Sequence, residues 1–437
     1  MPRTFALHTA VLSDTQAWSR WPSDSGGAGT TIAAGTAAGR TAATAAAMGE
    51  AVERYCGNLV PPDLPRGSAR HLRSRGHDVV DLSSIALFDR SQFEQPGFPF
   101  VPLHDDLELE WARGTDVLIG RPVLVPASLV WVSYVNASPG RAVPFTNPVI
   151  QAGLATGTSL PAAIESALME VLERDTMAVC WHGRQPLREL VPPPALARTA
   201  RGAHDTLSTR FLSFTGGSGP VVGALVHDST TGYLTLGAAS RPHPLDAARK
   251  ALAEACQLQM FVADYDDPHG PYMAAAQHPR SPLAAHRADR TYLGAYRVDL
   301  AAGDFSRVRD YGCHLQLFLD PRAQHAFSSE LDEAMGSRAP LPLTDVPVVD
   351  ADSGLGRAGP TERYLAVAAR LSAAGHRTIA VDVTTDDVRP SGLRVVRVLV
   401  TGTYTNTAAG LPVLGGDRLR SALDGNLERR RALPLPH

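Results

Sequence analysis

Apolar residues recur at helical spacing in long segments of the chain, and these segments predict helices. Two of them, Ala42 to Tyr55 and Ala162 to Trp181, are almost continuously apolar and leave only a narrow charged stripe. The second follows Thr158 and Ser159, either of which is a suitable N-cap. A third helix is predicted to begin at Pro244, because proline is favoured in a first helical turn. Stripes this narrow predict that the charged side chains face a cleft rather than open water.

Shorter apolar runs predict strands. Val221 to His227 and Tyr233 to Ala239 flank the turn sequence Asp-Ser-Thr-Thr-Gly and predict a hairpin. Val117 to Val135 also predicts strands, interrupted by prolines. The last third of the chain contains both helical and strand patterns. A helix is predicted from about Thr361 to Ala374, followed by strands at Thr378 to Val383 and Leu393 to Val400. This alternation predicts an α/β (α+β) fold with mixed sheets and packed helices.

Composition and charge are those of an ordinary globular protein. Of 437 residues, 44% are hydrophobic and 19% are charged, and the formal net charge of −3 does not favour nucleic acid as a partner. Length alone allows about three domains, although a multilayer enzyme of this size also folds as one unit. The chain shows neither a secretory signal nor a run long enough to span a bilayer, so it is predicted to be cytoplasmic without membrane contact.

Several common catalytic signatures are missing from the sequence. It contains no H-E-x-x-H, no G-x-S-x-G and no G-x-G-x-x-G after a strand, and no glycine precedes its one lysine, Lys250, as a Walker loop requires. Cys56, Cys180, Cys256 and Cys313 are far apart and form no C-x-x-C pair, which predicts buried reduced thiols rather than a zinc site or disulfides.

The most informative pattern is E-x-x-E-R, which occurs twice. Spacing of i, i+3 places both carboxylates of each copy on one helix face, and a third helix offers a carboxylate with an amide three residues later. The side chains concerned are Glu50, Glu53 and Arg54, then Glu170, Glu173 and Arg174, and finally Glu254 and Gln257. Three such helices would surround a magnesium-bound nucleotide. The alternative is that the Glu–Arg pairs at i, i+4 merely decorate exposed helices.

Two further segments allow more than one interpretation. The glycine-rich stretch from Ser23 to Thr31 is either a plain turn or a loop that approaches phosphate groups. The basic and then proline-containing tail at 429–437 is either a frayed terminus or a placed one. His314 is either a general base or, as is commoner for a lone histidine beside a strand, structural.

These residues resemble a known family, the YcaO-domain proteins, over the whole chain. The segments that carry the resemblance are Gly49 to Tyr55, the glycine turn Gly153 to Gly157, the S-x-x-x-E-x-x-E-R-D sequence Ser166 to Asp175, the E-x-x-Q segment around Glu254, Asp382 to Val388, and Val400 to Gly402. The chain departs from many members at Gln259, where an arginine is frequent, and at Ala28, where a lysine is often found between glycines.

The resemblance implies an ATP-dependent cyclodehydratase with a YcaO-like fold that encloses an ATP/Mg cleft within a single catalytic domain, residues 1–437. In such enzymes a Cys, Ser or Thr side chain of a ribosomal precursor peptide attacks the preceding backbone carbonyl, and the adduct oxygen is phosphorylated. Loss of phosphate leaves a thiazoline or oxazoline ring. The cofactors implied are ATP and Mg²⁺, which neutralise charge as the phosphoryl group is transferred.

The same resemblance implies roles for individual residues. The metal ligands would be Glu50, Glu53, Glu170, Glu173 and Glu254. The nucleotide would be bound by Arg54, Ser166, Arg174 and Gln257. The tail would enter the active site, where Pro436 and His437, or the terminal carboxylate, would serve in proton transfer.

Partners are implied as well. Only about twenty residues precede the predicted catalytic region, so a separate ThiF-like protein is expected to hold the peptide's leader. A flavin dehydrogenase would oxidise the rings further, and a homodimer is compatible with the sequence. Two alternatives remain: a YcaO enzyme that forms a thioamide or a macrocyclic amidine, which the proline tail disfavours, and a scaffold without ATP turnover, which the retained glutamates disfavour.

Overall fold

The structure of the protein is a computed structural model that describes residues 1–2, 5–11, 32–132, 134, 144–217, 219–277, 281–346 and 358–437. The glycine-rich stretch from Ser23 to Thr31, with Ala28, lies outside the described residues. In chain order the strands are β1 Phe5–Val11, β2 Ile32–Ala38, β3 Arg66–Gly67, β4 Leu109–Asp116, β5 Pro122–Pro126, β6 Leu154–Gly157, β7 Arg188–Val191, β8 Leu207–Phe214, β9 Val221–Asp228, β10 Leu234–Ala239, β11 Leu341–Pro342, β12 Thr378–Asp382 and β13 Arg394–Val400.

Helices connect and cover these strands. In chain order they are α1 Arg40–Asn58, α2 Ala69–Ser74, α3 Arg90–Phe93, α4 Leu160–His182, α5 Pro194–Ala200, α6 Pro244–Asp266, α7 Pro271–Ala276, α8 Tyr292–Ala295, α9 Tyr311–Leu317, α10 Pro321–Met335, α11 Pro360–Ala373 and α12 Asp417–Ala422. None of the helices described here combines the length and the apolarity that crossing a membrane requires.

The described strands form two larger sheets and a separate hairpin. The hairpin is β1 with β2. One sheet has the order β10-β9-β8-β7-β11, and the other has the order β3-β4-β12-β13-β6 with β5 beside β4. Only the short pair β7 and β11 is parallel among the described pairs. The α/β (α+β) class with mixed sheets and packed helices is confirmed.

Three long helices, α1, α4 and α6, lie between these layers. The first half of α4 packs on β13 through Leu168 and Leu172, and its second half packs on the other sheet through Trp181; all three side chains are fully buried. The α6 helix covers β9 and β10, and α1 covers β2. The apolar faces of the three helices therefore point into separate cores, while their charged stripes converge between the sheets.

Local sequence explains where these helices begin. The Ser159 side chain accepts a hydrogen bond from the Ala162 N–H, as an N-cap does, and Pro161 occupies the first turn of α4. Pro244 opens α6. The hairpin of β9 and β10 is confirmed, as are α11, β12 and β13 within one residue at most ends.

Other expectations were wrong or incomplete. The Val117 to Val135 segment contains one described strand, β5, and then a 3-10 turn at Ala127–Leu129. Its partner β4 begins earlier than the apolar run suggested, because Arg113 and Thr115 alternate with buried residues. The cysteines are free and buried, as predicted.

Candidate active site

The first E-x-x-E-R copy lies on α1 beside strand β2. Glu50 accepts hydrogen bonds on Oε1 from Arg54 Nε at 3.0 Å and Nη2 at 2.6 Å, and on Oε2 from the Ala34 N–H at 3.2 Å. These two charged side chains are only 23% and 29% exposed. The i, i+4 pair therefore exists, but it borders a cleft and does not decorate an open surface. Glu53, one helical turn after Glu50, is half-buried.

The second copy lies on α4. Glu170 Oε2 accepts from the Gly153 N–H at 3.2 Å, and Glu173 Oε2 accepts from the Ser240 N–H at 3.3 Å. Gly153 has a φ of 84°, and a Cβ atom there would lie 2.6 Å from the Val398 carbonyl oxygen, so only glycine allows this approach. Arg174 Nη2 lies 3.3 Å from Glu173 Oε1 and 3.9 Å from Glu170 Oε1.

The third helix, α6, supplies Glu254 and Gln257. Glu254 is ion-paired with Lys250, one helical turn earlier, and Gln257 is half-buried. Gln259 does not line the cavity described below, and its Nε2 is buried without a hydrogen-bond partner among the described residues. The departure at Gln259 therefore removes no cation from the lining of this cavity.

One cavity of about 1120 Å³ connects the three helices. Its lining includes ten of the eleven residues assigned to the site by sequence: Glu50, Glu53, Arg54, Ser166, Glu170, Glu173, Arg174, Glu254, Gln257 and His437. Pro436 is the exception, and its backbone carbonyl makes a hydrogen bond that is described below. Side chains more than 380 positions apart in sequence thus face the same space.

The carboxylates of this cavity carry unbalanced negative charge. Burial raises the pKa of Glu53 well above its usual value, and the neighbouring Glu170 and Glu50 raise it further. Burial likewise raises the pKa of Glu170, and it raises that of Glu173 to about 7 with help from Glu254. Burial alone would also raise the pKa of Glu254, but Lys250 and Arg174 bring it below its usual value. The cluster is therefore short of cations.

The donor set fits Mg²⁺ with a nucleotide. Glu173 is 2% exposed, and its Oε1 makes no hydrogen bond to any described residue, nor does Arg174 Nη1. Glu173 Oε1 has the ion pair with Arg174 Nη2 at 3.3 Å but no hydrogen-bond donor, so a further cation would neutralise it better. Arg174 Nη1, which has no acceptor, would be satisfied by an anion. Across the described part of the chain, no three acidic, histidine or cysteine side chains are close enough to hold a metal ion alone. Mg²⁺ usually takes only one or two carboxylates and completes its shell with phosphate oxygens and water.

The C-terminal tail is placed against the protein through its carbonyl groups. Alternate carbonyls, those of residues 431, 433 and 435, accept hydrogen bonds from buried or half-buried side chains. The pairs are His182 Nδ1 with Arg431 at 2.8 Å, Trp181 Nε1 with Leu433 at 2.6 Å, and His314 Nε2 with Leu435 at 2.6 Å. Since two of the donors are at the end of α4, the helix that carries Glu170 and Glu173 also holds the tail.

The last two residues join the edge strand β10. The Leu236 N–H donates to the Pro436 carbonyl at 2.6 Å, and the His437 Nδ1 lies 2.7 Å from the Leu236 carbonyl. Because a carbonyl oxygen only accepts, Nδ1 carries the hydrogen and Nε2 keeps its lone pair. Burial and then the charge of Arg174 lower the pKa of His437 to about 3. The imidazole is thus neutral and faces the cavity, while the catalytic roles of Pro436 and His437 stay predictions.

His314 was expected beside a strand, and this was wrong. It lies on α9, is 5% exposed, and has a pKa that burial lowers to about 4. The Nε2 atom donates to the tail, and Nδ1 has no partner among the described residues. Of its two interpretations, the structural one matches these contacts, because the imidazole holds the tail.

Sequence motifs did not single out Arg397, which lies behind the glutamates. It is fully buried and donates to the carbonyls of Val130, Ile150, Gln151 and Ala152 at 2.5 to 2.9 Å. Burial lowers its pKa to about 10, against the opposing effect of Glu170 and Glu53. It therefore fixes the segment that leads into Gly153. The available signal was an arginine in the middle of the apolar run Arg-Val-Val-Arg-Val-Leu-Val.

Asp175, the last residue of the second motif, does not line the cavity. It is fully buried, accepts two hydrogen bonds from Arg418 at 2.6 and 2.9 Å, and accepts from the Tyr404 N–H at 3.0 Å. This bidentate pair ties α4 to the segment that precedes the tail. Sequence spacing could not reveal a partner 243 positions away.

Comparisons with known proteins agree with this geometry. The family model described as YcaO cyclodehydratase, ATP- and Mg²⁺-binding, matches residues 34–404. A Rhizobium leguminosarum bv. trifolii protein from the tfuA 3′ region is 26% identical over 287 residues, 62% of each chain. A Methanothermobacter thermautotrophicus protein is 28% identical over 235 residues, 52% of this chain and 56% of its own. The matches thus span less than two-thirds of these curated relatives.

Solved structures share the fold. A heterocyclase in complex with substrate and cofactor matches with a TM-score of 0.64 and 18% identity over 93% of this chain and 50% of its own. The heterocyclase TruD matches at 0.60 and 17% identity over 90% and 50%. YcaO from Methanopyrus kandleri, bound with AMPPCP and Mg²⁺, matches at 0.52 and 21% identity over 85% and 79%.

Proposed function

The chain belongs to the YcaO family, and from that premise we propose that it is a peptide cyclodehydratase that uses ATP and Mg²⁺ to form azoline rings. ATP and Mg²⁺ are the cofactors of the family, as predicted. The ring would form from a Cys, Ser or Thr side chain and the backbone carbonyl that precedes it. As parts of the same proposal, residues 1–437 act as one catalytic domain, and the protein works in the cytoplasm.

The observation that carries this proposal is the convergence of five glutamates from α1, α4 and α6 on one cavity. Three of the five have a raised pKa because burial and neighbouring carboxylates oppose their ionisation. A fold that keeps buried acids so close together gains no stability from them. Their arrangement is explained if they hold a cation that carries a polyphosphate.

Different residues of the cavity would bind the metal ion and the nucleotide. When bound, Mg²⁺ and ATP supply a phosphoryl group whose charge is spread over several oxygens. One or two of the five candidate glutamates would hold the metal together with phosphate oxygens, and Arg174 would turn its unpaired Nη1 toward a phosphate. Arg54, Ser166 and Gln257 line the same space and would contact the nucleotide. Arg54 would then exchange part of its pairing with Glu50 for a phosphate.

The C-terminal tail would take part in proton transfer. His437 presents an unprotonated Nε2, because Nδ1 donates to the Leu236 carbonyl. The negative charge of a polyphosphate in the cavity would raise the pKa of His437 from about 3. The Nε2 atom would then accept the proton that leaves the attacking thiol or hydroxyl, or the one that leaves the amide nitrogen as phosphate departs. Pro436 would keep the tail in register through its carbonyl, which the Leu236 N–H holds.

The proposal extends to partners. A ribosomal precursor peptide would be the substrate, a ThiF-like protein would hold its leader, and a flavin dehydrogenase would oxidise the product. Structural relatives described as heterocyclases, one of them in complex with substrate, support a ring-forming reaction for this fold.

We expect the purified chain, given a precursor peptide, its ThiF-like partner, ATP and Mg²⁺, to remove one water from the peptide for each ring formed. Mass spectrometry of the peptide and release of inorganic phosphate check this together. The matched control is the same peptide with the reacting Cys, Ser or Thr replaced by alanine, which should lose no water.

Two outcomes would contradict the proposal. Exchange of the carbonyl oxygen for sulfur, or closure by an amine, would favour the thioamide or amidine alternative. No peptide-dependent phosphate release, with the peptide bound, would favour the scaffold alternative.

A further inference from the structure

The catalytic cavity extends beyond the carboxylate of α6 into an aromatic arm. On this helix Gln257 is followed, at helical spacing on one face, by Phe261 and Tyr265, and all three line the cavity. The arm is formed by side chains of α6, α7 and α9. It is defined by Phe261, Tyr265, Tyr272, Tyr311 and Leu315, each of which lines the cavity.

The rings of the aromatic arm pack on one another but keep apolar surface on the cavity. Tyr272 stacks on Tyr265 with ring centroids 4.6 Å apart and 17° between the ring planes, and its edge contact with Phe261 has centroids 6.3 Å apart. Tyr265 is buried, whereas Phe261 and Tyr272 are only half-buried. Ligand pockets are lined mainly by hydrophobic and aromatic side chains, so a half-buried aromatic lining indicates an apolar occupant.

The short helix α9 places the aromatic arm beside the C-terminal tail. Tyr311 and Leu315, one turn apart on α9, line the cavity, while His314 between them holds the tail through the Leu435 carbonyl at 2.6 Å. The Tyr311 hydroxyl donates to the Asn406 carbonyl at 2.7 Å, which fixes this ring. One helix thus forms a wall of the arm and positions the tail that ends in the active site.

The polar groups at the start of α9 are already engaged. Asp310, which also lines this end of the cavity, caps the helix and accepts a hydrogen bond from the Gly312 N–H at 2.7 Å. A Cβ at Gly312 would lie 2.6 Å from the Tyr265 hydroxyl oxygen, so glycine allows α9 to approach this ring. The closed end of the arm is therefore shaped by contacts between α6 and α9.

The aromatic arm adjoins the arginines of both E-x-x-E-R copies. Burial raises the pKa of Tyr272, and the charge of Arg54 opposes that rise. Burial likewise raises the pKa of Tyr311, and the charge of Arg174 opposes it. Because Coulomb interactions weaken with distance, each ring lies near one of the two arginines. The arm therefore begins where the charged cluster ends.

The opposite end of the cavity is polar. Ser166 precedes Glu170 by one turn on α4, and Lys250 precedes Glu254 by one turn on α6; both Ser166 and Lys250 line the cavity. Hydroxyl and cationic groups suit a nucleotide, whereas an aromatic wall suits an uncharged group. The two ends of the cavity thus match the two reactants of the proposed reaction, ATP and a peptide.

The chemistry of ring formation decides which part of the peptide reaches the arm. The attacked carbonyl belongs to the residue before the Cys, Ser or Thr, and its carbon is bonded directly to the Cα of that residue. When this carbon lies beside the phosphoryl group, the side chain on that Cα must lie next to the charged cluster. The aromatic arm is the apolar part of the cavity that adjoins this cluster.

We propose that the aromatic arm binds the side chain of the residue that precedes the ring-forming Cys, Ser or Thr, and that it selects an aromatic or large aliphatic residue at this position. This inference rests on the proposed function, since it names the substrate preference of that reaction.

Two peptides that differ at one position test the inference. Both are short, fluorescein-labelled and made of glycine and alanine with one cysteine, and the residue before the cysteine is phenylalanine in one and glycine in the other. Fluorescence anisotropy with Mg²⁺ and a non-hydrolysable ATP analogue measures their binding to the full chain. Tyr272→Ala removes a wall of the arm, and Tyr272→Phe is the matched control, because it keeps the ring and removes only the hydroxyl.

We expect the wild type to bind the phenylalanine peptide about 30-fold more tightly than the glycine peptide, because an aromatic side chain leaves water and packs on aromatic rings. In Tyr272→Ala this ratio should fall to about threefold, and in Tyr272→Phe it should stay within about twofold of the wild-type ratio. Leu315→Trp is a second variant, which fills the arm and should lower the ratio by excluding phenylalanine. Thermal melts check that each variant is folded.

Three results would overturn the inference. They are equal affinity of the wild type for the two peptides, an unchanged ratio in folded Tyr272→Ala or Leu315→Trp, and loss of the ATP analogue rather than of the peptide preference in Tyr272→Ala. The last would assign the arm to the nucleotide. Failure of the proposed function is distinguishable, because a precursor peptide would then lose no water with ATP and Mg²⁺ while the wild-type ratio of affinities persists.

Discussion

Glu173→Gln is expected to lower peptide-dependent ATP hydrolysis by about 100-fold or more. Loss of a residue that only supports a metal ligand typically costs 10- to 100-fold, so loss of a ligand should cost at least as much. Glu173 is the most buried of the five glutamates, and its Oε1 lacks a hydrogen-bond partner among the described residues. The amide keeps the shape and removes the charge. Phosphate release with saturating peptide is the measurement.

A measurement of thermal stability distinguishes this loss of ATP hydrolysis from misfolding of the variant. Burial and neighbouring carboxylates raise the pKa of Glu173 to about 7, above its ordinary value of 4.5. The folded state therefore binds this proton more tightly than the unfolded chain does, and the associated stability is lost as pH rises from about 4.5 through 7. At pH 8 the neutral glutamine should unfold no earlier than the wild type in a thermal melt.

Glu94→Gln is the matched control. Glu94 is an exposed glutamate paired with Arg90 and does not line the cavity, so this variant should hydrolyse ATP at the wild-type rate. Normal peptide-dependent turnover in Glu173→Gln would remove this residue from the metal site. An early thermal transition in Glu173→Gln at pH 8 would contradict the charge argument.

Deleting residues 434–437 is expected to lower the rate of ring formation by about 100-fold, in the range for a lost proton-transfer group. The deletion removes His437 and the carbonyls that bind His314 and Leu236. It keeps the contacts of Arg431 and Leu433 with α4. Affinity for Mg²⁺ with ATP should therefore change little, and the loss should fall on kcat for the peptide.

Pro434→Ala is the control for the deletion, since it keeps every tail carbonyl in the chain and should retain most of the activity. His437→Gln separates docking from proton transfer. Its amide can still donate to the Leu236 carbonyl, but it offers no basic nitrogen. A deleted chain that forms rings at the wild-type rate would exclude the tail from the mechanism.

Much of the fold followed from local pattern. The long helices α1, α4 and α6 were predictable because each carries a sustained apolar stripe, and α4 also carries a cap and a first-turn proline. Strands that bury polar residues were harder to place, because those polar residues are satisfied by partners distant in sequence. β4 is an example: its buried Glu110 and Asp116 interrupt the apolar pattern.

The candidate site was predictable where residues repeat a motif and not where they depend on tertiary contacts. The glutamate pairs on α1 and α4 and the Glu254–Gln257 pair on α6 share the i, i+3 spacing, and this regularity can be read directly from the sequence. Arg397 binds carbonyls 245 to 267 positions away, and Trp181 binds the tail 252 positions away. Such partners are set by how the sheets stack, which the resemblance did not specify for this chain.

The central claim is that acids from at least two of the helices α1, α4 and α6 hold one metal ion bound to ATP. Its most direct test is the anomalous diffraction signal of Mn²⁺ in crystals grown with Mn²⁺ and a non-hydrolysable ATP analogue. The account predicts a peak inside the cavity, coordinated by carboxylates from at least two of these helices and by phosphate oxygens. A peak elsewhere, or a nucleotide bound outside the cavity while the five glutamates contact only protein, would contradict it.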